Sequence, residues 1–135
     1  MKYTDFNKHT EHILECVKNI LIKKAGEYAT DENRLFNFLQ PTSLLNTNQA
    51  RVCLMYDSKH ICSLAKITED IDKGIYPSKE LLEEKIQDYL AYGCLLYANI
   101  LELIEKNASE THGEALVCSS RPISYGDYPL DGDGA

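Results

Sequence analysis

The chain has 135 residues, of which 44% are hydrophobic and 26% charged, and a formal net charge of −7. That length fits one domain, and the composition is too apolar for a chain that never folds. The acidic balance repels phosphate backbones and so excludes broad binding to polymeric DNA or RNA, while leaving room for a local basic pocket built from Lys23, Lys24, Arg34 and Lys59 that would take one small phosphate compound.

The five cysteines, Cys16, Cys53, Cys62, Cys94 and Cys118, form no C-x-x-C pair and are odd in number. Such usage suits reduced, buried thiols in a cytoplasmic protein better than disulfides or zinc. The polar stretch 1–10 has no apolar signal core, and the most apolar run, 89–101, is shorter than the roughly 20 residues that span a bilayer. No membrane association is expected.

The predicted fold is all-α: a bundle of three long helices in residues 1–106, followed by an irregular tail over 107–135. The first helix runs from about Thr4 to Lys24, capped by Thr4 or Asp5, with Ile13, Val17, Ile20 and Leu21 on one apolar face. Gly26 either closes it or is passed on the way to Tyr28. His9 and His12 precede the main stripe and read as solvated. An irregular stretch over 29–46 contains Asn33-Arg34-Leu35-Phe36-Asn37-Phe38. Phe36 and Phe38 read as anchors to the core. Arg34, Asn33 and Asn37 are not explained by packing, and suit a phosphate fork and readers of a base or sugar edge.

The second helix spans about Thr47 to Asp72, with Thr47 as cap and Gly74 as stop. Positions 53, 57, 60, 64, 67 and 71 share a face, widened by Leu54, Ile61 and Ala65, so Asp57 and His60 interrupt an apolar stripe. A core-facing polar pair must be satisfied or must face a polar pocket, and both readings stay open. The third helix starts at Ser78 and runs to about Lys106. Leu82, Ile86, Leu90, Gly93, Tyr97, Ile100 and Ile104 make one face, with Glu84, Asp88, Ala91 and Leu95 opposite. From Tyr89 onward this helix is apolar nearly all round, which predicts burial from both sides and a homodimer, with Gly93 and Ala98 allowing close approach. Glu84 and Asp88, four apart, either share a Mg²⁺ or Mn²⁺ ion or belong to a solvated acidic first turn, a reading that suits Glu84 better than Asp88.

Four pieces occur in order: Lys24-x-x-Glu27-Tyr28, the 33–38 segment, Lys59-His60-Ile61-Cys62-Ser63-Leu64, and Glu83-Glu84-Lys85-Ile86-Gln87-Asp88-Tyr89-Leu90-Ala91-Tyr92. Over roughly residues 5–105 the chain resembles nucleotide modification associated domain 1, a small family found mainly in bacteriophages. That family is similar to the all-α NTP pyrophosphohydrolases of the MazG and dimeric dUTPase type. The resemblance implies a MazG-like bundle in the host cell cytoplasm. It also implies two carboxylate pairs, E-x-x-E and E-x-x-D, that hold Mg²⁺ and activate water between the α and β phosphates. Carried over, the second pair falls on Glu84 and Asp88 at a spacing of E-x-x-x-D, and the first on Asp57 and His60.

Three functions follow as expectations. The first is a metal-dependent nucleoside phosphate hydrolase or nucleotide-modifying enzyme. In it Asp57, Glu84 and Asp88 hold the metal, and Glu27, Asp57 and His60 serve the chemistry. Lys24, Asn33, Arg34, Asn37 and Lys59 bind the substrate. The second is a non-catalytic module that sequesters a nucleotide in the same pocket. The third is a structural dimer in which these groups are internal pairs.

Overall fold

A computed structural model describes residues 1–28 and 33–113, with side-chain detail at 1–25 and 33–110. Every regular element in these residues is helical: α1 (Tyr3–Tyr28), α2 (Phe36–Leu39), α3 (Thr42–Leu45), α4 (Gln49–Asp72) and α5 (Lys79–Gly113). The helix at the amino end carries through Gly26. The stretch expected to be irregular contains two single-turn helices, each too short for a hydrophobic period to be read from sequence. The third long helix runs seven residues past its expected end at Lys106, into the segment assigned to the tail. The rest of that tail, including Cys118, lies outside the described residues.

Local chemistry sets the ends. Asn46 at φ +47° closes α3 in the left-handed region, and Asn48 then caps α4, its side chain accepting the Arg51 N–H at 2.9 Å. The cap is thus one residue beyond Thr47. At the far end Gly74 has φ +77° and donates its N–H to the Ile71 carbonyl, while Ile75 N–H reaches the Asp70 carbonyl. This paired closure favours glycine because a side chain is strained at that φ. Ser78 Oγ accepts the Leu81 N–H at 3.1 Å, and Glu80 in the first turn of α5 suits the positive end of the helix dipole.

α5 packs against both α4 and α1, and α2 packs on α4. The core joins Leu35 and Phe38 to Val52 and Cys53, with Tyr92, Leu95, Leu96 and Ala98 of α5 against them. Phe38 is wholly buried, tilted against Tyr56 and edge-on to Tyr92, with ring centroids 6.0 and 6.3 Å away. A polar clasp lies beside this core. Buried Gln49 donates to Glu102 Oε2 at 2.6 Å and reaches the Asn99 carbonyl at 3.4 Å. Lys106 and Gln49 together hold the Glu102 carboxyl below its ordinary range.

Three expectations about packing are corrected. The face of α5 that packs on the core carries Ala91, Leu95 and Asn99, the side placed opposite the apolar stripe. The expected stripe is largely exposed, with Tyr97 at 69% and Ile104 at 60%. On a helix apolar all round, periodicity does not choose the buried face; the neighbours do. Ala98 packs inward against the chain's own core. On α4, Leu54, Ile61 and Ala65 are exposed, so the buried stripe is narrower than expected. Of the four described cysteines, all free thiols, Cys53 alone is buried. No described helix is long and apolar enough to cross a membrane.

Candidate functional site

Where α1 and α4 flank α5, and the 34–41 segment closes one side, the chain forms a cavity of about 720 Å³. This is the size range of small-molecule and cofactor sites. Each element supplies a different chemistry. α1 contributes Ile20, Leu21 and Lys24; α4 contributes Tyr56, Lys59 and His60; α5 contributes Asp88, Tyr92 and Leu95; and the closing segment contributes Arg34, Asn37 and Phe38. Helical phase explains the groupings. Tyr56 and His60 are one turn apart on α4, as are Asp88 and Tyr92 on α5.

Lys24, Arg34 and Lys59 set three cationic side chains against one carboxylate, Asp88, in a chain that is strongly acidic overall. Asp88 stands between two of its neighbours. Its Oδ1 is 3.5 Å from Lys24 Nζ and its Oδ2 is 3.6 Å from His60 Nδ1. The His60 ring lies 4.8 Å from Tyr92, tilted by 38°. Burial holds the His60 imidazole below its ordinary value. Asp88 and Asp57 pull it back up, while Lys59 and Lys24 push it further down. The neutral ring is favoured, and its buried Nε2 has no hydrogen-bond partner among the described residues. Asn37 likewise carries a buried Oδ1 with no partner. Buried polar atoms normally find partners, and two beside one cavity mark places where a ligand or water would bond.

The expected site residues divide. Lys24, Arg34, Asn37, Lys59, His60 and Asp88 are brought together at the cavity. Asn33 is half-buried and does not line it; its Oδ1 accepts the Leu35 N–H at 2.8 Å and so turns the backbone that presents Arg34. Asp57 also does not line it. Asp57 is buried at 7% exposure, with Oδ1 unpartnered, and burial raises its carboxyl above the ordinary range, partly offset by His60. Burial, with Asp57 adding to it, pushes the Cys53 thiol up to about 11. Desolvation of a carboxylate disfavours ionisation, so Asp57 opposes folding above its folded-state titration, and that cost vanishes below the ordinary carboxylate range.

Glu84 takes the solvated alternative rather than the metal pair. Its side chain is 62% exposed and pairs with Lys85 at 2.7 Å, a partner that holds its carboxyl below the ordinary range. It does not share the cavity with Asp88. Glu27 lies in the last turn of α1, but its side chain is outside the described residues. Among the described residues no group of three or more His, Cys, Asp and Glu side chains is placed to hold a metal ion. Among the described residues Asp88 is the one carboxylate at the cavity, and its neighbours there are the nitrogens of Lys24 and His60.

Sequence reading missed the aromatic wall of Tyr56 and Tyr92. Their positions four residues from His60 and Asp88 were the signal that could have found it. His9 and His12 are exposed as expected, with His12 Nε2 3.3 Å from Glu83. No protein-family model matches the chain, and neither does a curated protein or a solved structure.

Proposed function

We propose that this chain is a nucleotide-binding module, holding the phosphates of a nucleoside phosphate on Lys24, Arg34 and Lys59 and its base against Tyr56, His60 and Tyr92. One observation carries the reading: three cations and an aromatic wall converge on a single cavity in a chain of net charge −7. Evenly distributed charge would not concentrate cations there, and phosphate is the anion that lysines and an arginine fork bind best. Aromatic and imidazole rings give a flat base a surface to stack on.

The hydrolytic reading of the same cavity would need a second carboxylate beside Asp88; among the described residues Glu84 and Asp57 do not line it, and the Glu27 side chain lies outside them. The three cations favour binding as the first reading, with hydrolysis as the second.

Calorimetric titration of the full chain tests it, with a nucleoside triphosphate, its nucleoside and inorganic pyrophosphate, each in chelator and in Mg²⁺. The triphosphate should bind in chelator, more tightly than either fragment, and be recovered intact. Binding that appears only with Mg²⁺, accompanied by release of products, would replace this reading with the hydrolase. No heat from any of the three at millimolar concentration would remove both.

We also propose that the module is a homodimer, through the α5 face that bears Tyr97, Ile100 and Ile104. Contiguous exposed apolar side chains of this size mark association surfaces. Sedimentation at micromolar concentration should give twice the mass of 15.3 kDa, and Tyr97→Glu should return it to that single mass; a wild-type chain at the single mass would contradict this.

A further inference from the structure

Among the described residues Asp88 is the one carboxylate that lines the cation-rich cavity. Its contacts to Lys24 and His60, at 3.5 and 3.6 Å, are longer than the roughly 2.7–2.9 Å of a charge-assisted hydrogen bond. The carboxylate is 22% exposed and Lys24 is 47% exposed, so the pair sits at the cavity surface and is loosely held. His60 keeps its second nitrogen unpartnered in the same wall. The carboxylate thus stands between Lys24 and His60 in a cavity that Arg34 and Lys59 also line.

We infer that Asp88 is an internal counter-ion: it occupies Lys24 and His60 in the ligand-free cavity, a ligand's phosphate displaces it, and it thereby weakens anion binding, the more so the more negative charge the ligand carries. The inference deepens the nucleotide-binding reading and rests on the cavity being an anion site. Its physical basis is Coulombic. Repulsion between Asp88 and a bound anion grows with the charge of that anion, and the swing of Asp88 away from its partners is a fixed cost for every ligand. A phosphoryl group with two or more charges therefore bears a larger penalty from Asp88 than a monoanion does, and offsets it through Lys24, Arg34 and Lys59 together.

Asp88→Asn removes the charge and keeps the shape. The experiment is calorimetric titration with inorganic pyrophosphate in chelator at low salt, on the wild-type chain, Asp88→Asn and Asp88→Glu. The Asn variant should bind pyrophosphate about tenfold more tightly than wild type, and the Glu variant should stay near wild type because the charge is restored. Dimethyl phosphate, a monoanion, should gain only about threefold from the same substitution, and both gains should shrink at about 1 M salt, where screening acts within about 3 Å. Asp88→Ser, with circular dichroism to verify the helices, is the second variant should the Asn chain misfold.

Equal or weaker pyrophosphate binding by the folded Asn or Ser variant overturns the inference, as does a wild type and Asn variant that both ignore pyrophosphate at millimolar concentration. A metal-ligand role for Asp88 gives the opposite sign, since Asn would then abolish Mg²⁺-dependent affinity. Failure of the nucleotide reading is separable: a wild-type chain that binds the triphosphate no better than pyrophosphate loses its base site, while the Asn variant still tightens on pyrophosphate.

Discussion

Phe38→Ala should destabilise the protein by about 3–5 kcal/mol, the largest loss expected from a single side chain here. Phe38 has no exposed surface, and it is the residue by which four-residue α2 holds to the rest of the chain. Its ring touches Tyr56 of α4 and Tyr92 of α5, so truncation opens a cavity at the meeting of three elements. The loss is a large share of the roughly 5–15 kcal/mol that holds a typical domain together. Thermal unfolding should show a melting temperature lower by ~10 °C or more. The substitution also has a functional signature. Arg34 and Asn37 flank Phe38 on the segment that closes the cavity, so nucleotide affinity should fall even at temperatures where α4 and α5 stay folded. A variant that melts within about 2 °C of wild type would show that α2 is not held by this ring.

Arg34→Ala should weaken nucleotide binding by roughly 10- to 100-fold with little change in melting temperature. Arg34 is half-buried at the cavity and is presented by a built turn: Asn33 Oδ1 on the Leu35 N–H, then Leu35 and Phe38 in the core. A turn so fixed spends little entropy when its guanidinium meets an anion. Arg34→Lys should recover part of the affinity, since it keeps the charge and loses the planar fork. Titration calorimetry reads both variants. Arg34→Ala with wild-type affinity would move the phosphate site off this segment.

How far the sequence foretold this molecule differs from element to element. The α4 stripe was legible because its apolar residues hold a helical period, which exposed Asp57 and His60 as interruptions. The structure divides that pair between a buried carboxyl and a cavity-lining imidazole. Helical phase cannot separate two residues three apart on one face; the approach of α5 and α1 does. Asp88 was found for the same reason as His60. Glu84, one turn earlier, shares its side of the helix, yet its side chain takes the adjacent Lys85 in solvent. Spacing therefore suggested a metal pair where, among the described residues, the packing leaves a single carboxylate among cations. The core of Leu35, Phe38, Val52 and Cys53 was partly legible, since Phe38 was read as an anchor. The buried face of α5 was not, because an apolar residue occurs at nearly every phase beyond Tyr89. Gln49 gave no signal at all: a glutamine at a helix start reads as solvated, and only its Glu102 partner 53 residues away explains its burial.

The central claim is that one cavity, lined by Lys24, Arg34, Asn37, Lys59 and His60, takes the nucleotide. Proton–nitrogen correlation spectra of the labelled full chain, recorded while a nucleoside triphosphate is added in chelator, test it directly. Shifts should be confined to those residues and their neighbours Tyr56, Asp88 and Tyr92, moving together along one binding curve. Shifts that cluster instead around His12 and Glu83, or a spectrum that does not change, would contradict it.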